Sequence, residues 1–153
     1  MLRDLRLRAL GESPDAFRMT YAEELDTPED VWRARADGEG ACFVAETAEG
    51  ALVGMVVGLS LPGQAEPLLA GLWVAREARR QGVARRLVDE VAGWARIAGA
   101  ARLTLWAFES NVEAQALLSG LGFLPTGARL VPPPDIDRDE DDVSPELELA
   151  LAL

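Results

Sequence analysis

Residues 72–87 read LWVAREARRQGVARRL, and within them the spacing of apolar residues changes from every second residue to about every 3.6 residues. Before Arg76 the pattern is typical of a buried strand from Leu68 to Val74. From Gly82 onward it predicts a long helix that ends near Gly99. One face of that helix carries Val83, Leu87, Val91, Ala95 and Ala98.

The loop between this strand and helix has the composition of a phosphate-binding site. A helix N-terminus carries a partial positive charge and N–H groups that lack partners within the helix. Gly82 and Ala84 keep bulky side chains away, and four arginines add cationic donors: Arg79, Arg80, Arg85 and Arg86. A Walker loop needs a lysine, which this chain lacks, and a dinucleotide fingerprint needs more glycines. The composition favours a pyrophosphate ligand, with a solvated arginine-rich loop as the alternative.

Composition excludes several chemistries. The chain has 153 residues, 26 acidic against 15 basic side chains, no histidine and a formal charge of -11. Without histidine there is no Ser-His-Asp triad and no His-ligated zinc, and Cys42 has no cysteine partner for a disulfide. We therefore expect no metal. The negative charge disfavours binding to nucleic acid and favours binding of a cationic partner. We also expect no membrane span and a cytoplasmic location, since no apolar run approaches about 20 residues.

Patterning along the rest of the chain predicts one α+β domain over residues 1–153. Short runs of apolar residues between turn signals predict strands at 1–10, 41–47, 51–61, 103–108, about 123–130 and 146–153. Start signals and helical spacing predict helices after Ser13, after Thr27 and over 112–121. An acidic loop at 135–142 precedes the last strand, and its charge fits either solubility or attraction of a cationic amine.

Two ordered motifs resemble those of the GNAT superfamily of N-acetyltransferases. Residues 79–84, RRQGVA, match its coenzyme A motif Gln/Arg-x-x-Gly-x-Gly/Ala, between a strand and a long helix as the family requires. Asn111, Ala114, Leu117 and Gly122-Phe123 match its second signature. The resemblance implies a mostly antiparallel sheet of six to seven strands flanked by about four helices. It also implies a splay between the fourth and fifth strands, those ending at Val74 and Phe108.

The resemblance further implies acetyl-coenzyme A as co-substrate. Main-chain N–H groups of residues 81–85 would hold its pyrophosphate, and the Val74 N–H would polarise the thioester. Asn111 would bond the pantetheine or fix its own loop, and it equally fits an N-cap for the following helix. The full set of residues implied in cofactor binding is Trp73, Val74, Arg79, Arg80, Gln81, Gly82, Val83, Ala84, Arg85 and Asn111.

Proton transfer is where the chain departs from the family. Many members protonate the leaving thiolate with a tyrosine seven residues after the motif asparagine, and here that residue is Leu118. Many also place a glutamate base on the fourth strand, where this chain has Ala70 and Gly71. The remaining candidates for acid and base are Tyr21, for which spacing favours core packing, and the carboxylates Glu66, Glu109, Glu23 and Glu24.

The function expected from the resemblance is transfer of an acetyl group to a primary amine of a small molecule or peptide, by direct attack in a ternary complex. The alternatives are N-terminal acetylation of a protein, as in the ribosomal-protein type, and acyl-coenzyme A sensing without turnover. Alternating leucines in the last strand, 146–153, predict an edge through which two copies form a homodimer.

Overall fold

A six-stranded sheet forms the centre of the computed structural model, which describes residues 1–38, 40–131 and 144–153. In these residues the strands are β1 (Gly40–Glu46), β2 (Leu52–Leu59), β3 (Leu68–Val74), β4 (Arg102–Phe108), β5 (Leu124–Leu130) and β6 (Glu146–Ala152). Their order in the sheet is β1-β2-β3-β4-β6-β5, and β3 with β4 is the one parallel pair. The mostly antiparallel mixed sheet predicted from the sequence is confirmed.

Helices cover both faces of this sheet. In chain order they are α1 (Leu2–Glu12), α2 (Tyr21–Leu25), α3 (Glu29–Asp37), α4 (Val83–Ile97) and α5 (Val112–Gly120), with 3-10 turns at Pro14–Ala16 and Arg76–Ala78. Side chains of β2 alternate between the faces. Val56 packs with α4 in one buried cluster, while Met55 packs with α1 in the other. None of the helices in the described ranges is long and apolar enough to cross a membrane.

The parallel neighbours β3 and β4 separate almost as soon as they meet. Their ladder registers at Leu68 opposite Thr104, and the two strands diverge toward Val74 and Phe108. The predicted splay therefore lies between β3 and β4, at the end of β3 from which the arginine-rich loop leaves.

The predicted first strand at residues 1–10 is wrong, because these residues form α1. The run LRLRAL alternates like a strand, yet Leu5 and Ala9 are spaced for one helix face and both are buried. They pack against Met55 and Trp73 on the α1 face of the sheet. Burial of that face decides between two patterns that the same residues satisfy.

Two further details of the sequence prediction are also wrong. Tyr21 is 46% exposed and is not a core residue. It begins α2, whose cap is Thr20, rather than continuing a helix from Ser13. The last strand, β6, lies inside the sheet between β4 and β5 and is not an edge. Because β6 is not an edge strand, it does not support the predicted dimer contact. The homodimer itself remains a prediction. The acidic loop 135–142 lies outside the described residues.

Candidate active site

The loop between β3 and α4 is built to expose the start of the helix. Two residues take left-handed conformations, Arg80 with φ 63° and Gly82 with φ 80°. Glycine suits this region because it has no Cβ to clash. No heavy atom lies within 4 Å of the position that a Cβ on Gly82 would occupy. The chain thus leaves open space directly in front of α4.

The main-chain amides at this helix start are available to an anion. The first bond of this helix runs from the Arg86 N–H to the Gly82 carbonyl, at 3.2 Å. The N–H groups of residues 83–85 come before it and have no acceptor within the helix. Gly82 supplies no side-chain cap, and the first turn carries no carboxylate that would neutralise the helix dipole.

The loop arginines partly brace the surrounding elements. Arg79 donates through Nε to the Val74 carbonyl at 3.0 Å and through Nη2 to the Ser13 hydroxyl at 3.3 Å. Arg85 donates to the Gly120 carbonyl at 3.1 Å, which links the start of α4 to the end of α5. Arg80 is exposed beside the open space.

A bulge in β3 decides which main-chain groups face the splay. Gly71 has φ 62°, and the register against β2 shifts there. Beyond the bulge the Ala75 N–H donates to the Val53 carbonyl of β2 at 2.8 Å. In a strand, the N–H and C=O of one residue point to one side and those of the next residue point to the other side. Because the main chain of Ala75 is directed at β2, the main-chain groups of Val74 face the splay.

The same alternation corrects the assignment of Trp73. This residue lies opposite Met55, two residues before Ala75, and its main chain is directed at β2. Trp73 therefore has no main-chain group to offer in the splay. Leu72, which the sequence analysis missed, shares the orientation of Val74. Only the strand register reveals this, because the bulge depends on pairing with β2.

Asn111 is confirmed as the N-cap of α5. Its Oδ1 accepts from the Ala114 N–H at 3.1 Å. Gln115 then donates to the carbonyls of Phe108 and Glu109 at 3.1 and 2.8 Å. These bonds fix the turn between β4 and α5 at the second wall of the splay.

The candidate acids and bases do not meet in one place. Glu66 is bound by Arg102 at 2.8 Å and lies roughly 20 Å from Val74, beyond the opposite end of β3. Glu109 follows β4 but bonds Arg129 on β5 at 2.9 Å, away from the splay. That hydrogen bond holds the pKa of Glu109 below its usual value, which weakens it as a base.

Leu118 and Glu24 are both buried. Leu118 belongs to α5 and packs into the core cluster. It therefore offers no polar group to the splay. The Glu24 carboxylate of α2 accepts hydrogen bonds from Arg6 of α1 at 3.2 Å and from Arg35 of α3 at 2.9 Å. It is therefore engaged in a contact that joins these three helices.

One ion pair near the splay was not foreseen. Arg18 binds Glu146 through two hydrogen bonds, with Nε to Oε1 at 2.7 Å. Glu146 is buried and lies opposite Phe108, at the end of β4. The alternation of glutamate and leucine in β6 places this carboxylate on the face away from the core, but nothing in the local sequence names its partner.

A family model agrees with this geometry. The model described as Acetyltransferase (GNAT) family matches residues 8–123. The chain belongs to the GNAT family. The match includes the loop before α4 and the helix α5, which carry the two motifs, and solved acetyltransferases share the fold of the mixed sheet.

Individual relatives match this chain over different shares of its length. Aminoglycoside N(6')-acetyltransferase type 1 from Serratia marcescens is 40% identical over 58 residues, which are 38% of this chain and 40% of that protein. The crystal structure of nourseothricin acetyltransferase has a TM-score of 0.64 and 26% identity, covering 76% of this chain and 66% of its own. The match thus spans less than two thirds of either relative.

The ribosomal-protein-S18-alanine N-acetyltransferase from Escherichia coli shares the fold over more of its length. It superposes with a TM-score of 0.65 over 95% of this chain and 86% of its own, at 20% identity.

Proposed function

We propose that this GNAT chain transfers the acetyl group of acetyl-coenzyme A to a primary amine of a small molecule or peptide. The observation that carries the proposal is the open start of α4 beside the Val74 main chain. There, free amides and the end of a strand border one splay. The relatives named as acetyltransferases of aminoglycosides and nourseothricin support a small-molecule amine.

The residues present fit coenzyme A. We propose that the amides of residues 81–85 donate to the pyrophosphate; those of 83–85 have no acceptor within the helix, and the helix dipole adds to the attraction. Arg80 lies exposed beside them to add positive charge. The splay-facing groups of Leu72 and Val74 can bond an extended pantetheine arm in the manner of an added strand. Arg79 must release the Val74 carbonyl for that bond to form.

The bound thioester supplies the acetyl group, and the chain supplies a donor and an open route for protons. The Val74 N–H faces the splay and is positioned to stabilise negative charge on the carbonyl oxygen as the amine attacks. Glu66 and Glu109 are held by arginines elsewhere, so we propose that the ammonium proton leaves to water. Leu118 lies in the core cluster and would donate no proton to the leaving thiolate.

Replacement of Gly82 tests the cofactor site. Gly82→Glu puts a carboxylate into the open space before α4, and we expect calorimetry to show acetyl-coenzyme A binding weakened by about 100-fold or more through like-charge repulsion. Gly99→Glu is the matched control. Gly99 has φ 83°, lies at the other end of α4 and also has open space at its Cβ position. Equal affinities in the two variants would contradict the assignment.

A measurement of turnover distinguishes an acetyltransferase from a protein that only senses acyl-coenzyme A. We expect free thiol to appear when acetyl-coenzyme A is mixed with a panel of small amines, followed with a thiol reagent. Tight cofactor binding with no thiol release for any amine or peptide N-terminus would favour the sensing alternative, for which the buried Leu118 is the supporting observation.

A further inference from the structure

We propose that Glu146 binds a second, non-reacting cationic group of the acceptor, and that Arg18 holds this carboxylate until the acceptor replaces it. The inference rests on the proposed function, because it assigns a specificity-determining residue to the same site. It names the acceptor class as an amine that carries a second cation.

Glu146 is a buried carboxylate one strand away from the splay, because β6 lies on the side of β4 opposite to β3. It lies in β6 with Phe108 opposite it, and Phe108 ends the β4 wall. Its side chain is 6% exposed, although it sits on the sheet face away from the main core. A buried carboxylate is stable only with a partner that offsets its lost hydration.

The surface around Glu146 suits a cation with an apolar body. The register places Phe108 and Trp106 of β4 directly opposite Glu146 and Glu148 of β6, so the four side chains share one face. Both aromatic residues are half-buried, which leaves part of each exposed. Aromatic faces and carboxylates both attract ammonium groups.

Arg18, by contrast, is easy to release. Its side chain is 60% exposed and belongs to the short connection between the Pro14–Ala16 turn and α2. That connection crosses between the two walls of the splay. Ser13, before the turn, accepts from Arg79, which also holds Val74 on the β3 side, while Arg18 reaches Glu146 on the β4 side.

The energetic consequence is a selective exchange. When the acceptor's cation takes the place of Arg18, Glu146 keeps a partner and the guanidinium returns to water at little cost, because it was already mostly exposed. An acceptor without a second cation gains nothing from displacing Arg18. The site therefore favours an acceptor with two cationic groups over an acceptor with one. The reacting amine is the same in both and does not contribute to the difference.

Two amines of matched length test the exchange, 1,5-diaminopentane and pentylamine. For Arg18→Ala we expect the KM of the diamine to fall about fivefold and that of pentylamine to change less than about twofold, because removing Arg18 leaves Glu146 unpaired before binding. Arg33→Ala is the matched control, since Arg33 is an exposed arginine paired with Glu29 on α3. We expect it to change neither KM.

Glu146→Gln should act in the opposite direction. We expect the KM of the diamine to rise about tenfold, as befits a lost charged hydrogen bond, with pentylamine unaffected. If Glu146→Gln does not fold, as judged by circular dichroism, Arg18→Ala alone decides. Equal changes for the two amines in Arg18→Ala would overturn the proposal.

Thermal melting separates this inference from the proposed function. In the absence of cofactor, the diamine should raise the Tm of Arg18→Ala more than that of the wild-type protein. If acetyl-coenzyme A does not bind but this shift appears, the proposed function fails and the Glu146 site stands. If acetyl-coenzyme A binds and neither the shift nor the KM difference appears, the Glu146 site fails alone.

Discussion

At the residue scale, position 118 shows how a catalytic group can be missing without leaving a gap. Leu118 is buried in the core cluster with Phe123 and Leu149. The chain's single tyrosine, Tyr21, is exposed at the start of α2. The thiol of free cysteine has a pKa of about 8.5, far below that of an alcohol, so a thiolate can serve as a leaving group without a side-chain acid.

We therefore expect Tyr21→Phe to keep kcat within about threefold of the wild-type value, whereas loss of a general acid costs about 100-fold or more. Steady-state rates with acetyl-coenzyme A and one good amine measure this. The variant keeps the ring and removes only the hydroxyl, so packing is preserved. A fall in kcat of about 100-fold at unchanged KM would identify Tyr21 as the acid.

At the element scale, Glu24 joins the three N-terminal helices to the edge of the splay. Its carboxylate holds Arg6 of α1 and Arg35 of α3. Arg6 also stacks on Phe17, and its Nη1 lies 3.5 Å from the Cβ position of Gly71 in the β3 bulge. Burial is the largest cause of the lowered pKa of Arg6, and the bond to Glu24 opposes it.

Glu24→Ala should lower the free energy of unfolding by about 3 kcal/mol, because it leaves a partly buried guanidinium without its carboxylate. Urea denaturation followed by circular dichroism measures the loss. Glu29→Ala removes an exposed carboxylate from α3 and should cost less than about 1 kcal/mol. If the two variants lose the same stability, the Glu24 network contributes no more than a surface pair.

At the scale of the whole molecule, the formal charge of -11 creates a field that attracts cations and repels anions. The acidic loop 135–142 contributes six carboxylates and one arginine to that charge. We expect kcat/KM for a diamine to fall as ionic strength rises to about 0.15 M, where the Debye length is about 8 Å.

Replacing the loop carboxylates with Asn and Gln should flatten this salt dependence, because it removes long-range attraction without touching Glu146. Pentylamine should show a weaker salt dependence in both proteins, since it carries half the charge. Stopped-flow or steady-state rates over a salt series measure the slopes. Superimposable diamine profiles for the two proteins would mean that the loop does not attract the acceptor.

Local patterns were enough to predict β3, the loop that follows it and α4. Each of these depends on interactions within a few residues, namely the helical ladder, the left-handed turn at Gly82 and the free amides after it. The hairpin of β1 and β2 and the cap at Asn111 were predicted for the same reason. The loop between β3 and α4 carries the motif at residues 79–84, so the resemblance to the family could be recognised from the sequence.

Pairing between distant segments decided what the sequence left open. The pattern of α1 fits both a helix and a strand, and burial against β2 selects the helix. The bulge at Gly71 turns Val74 toward the splay only because β2 fixes the register. Arg18 and Glu146 lie 128 positions apart, and neither has a local signal for the other. Short-range hydrogen bonds are encoded where they form, whereas the pairing of Arg18 with Glu146 exists only after the sheet has brought its strands together.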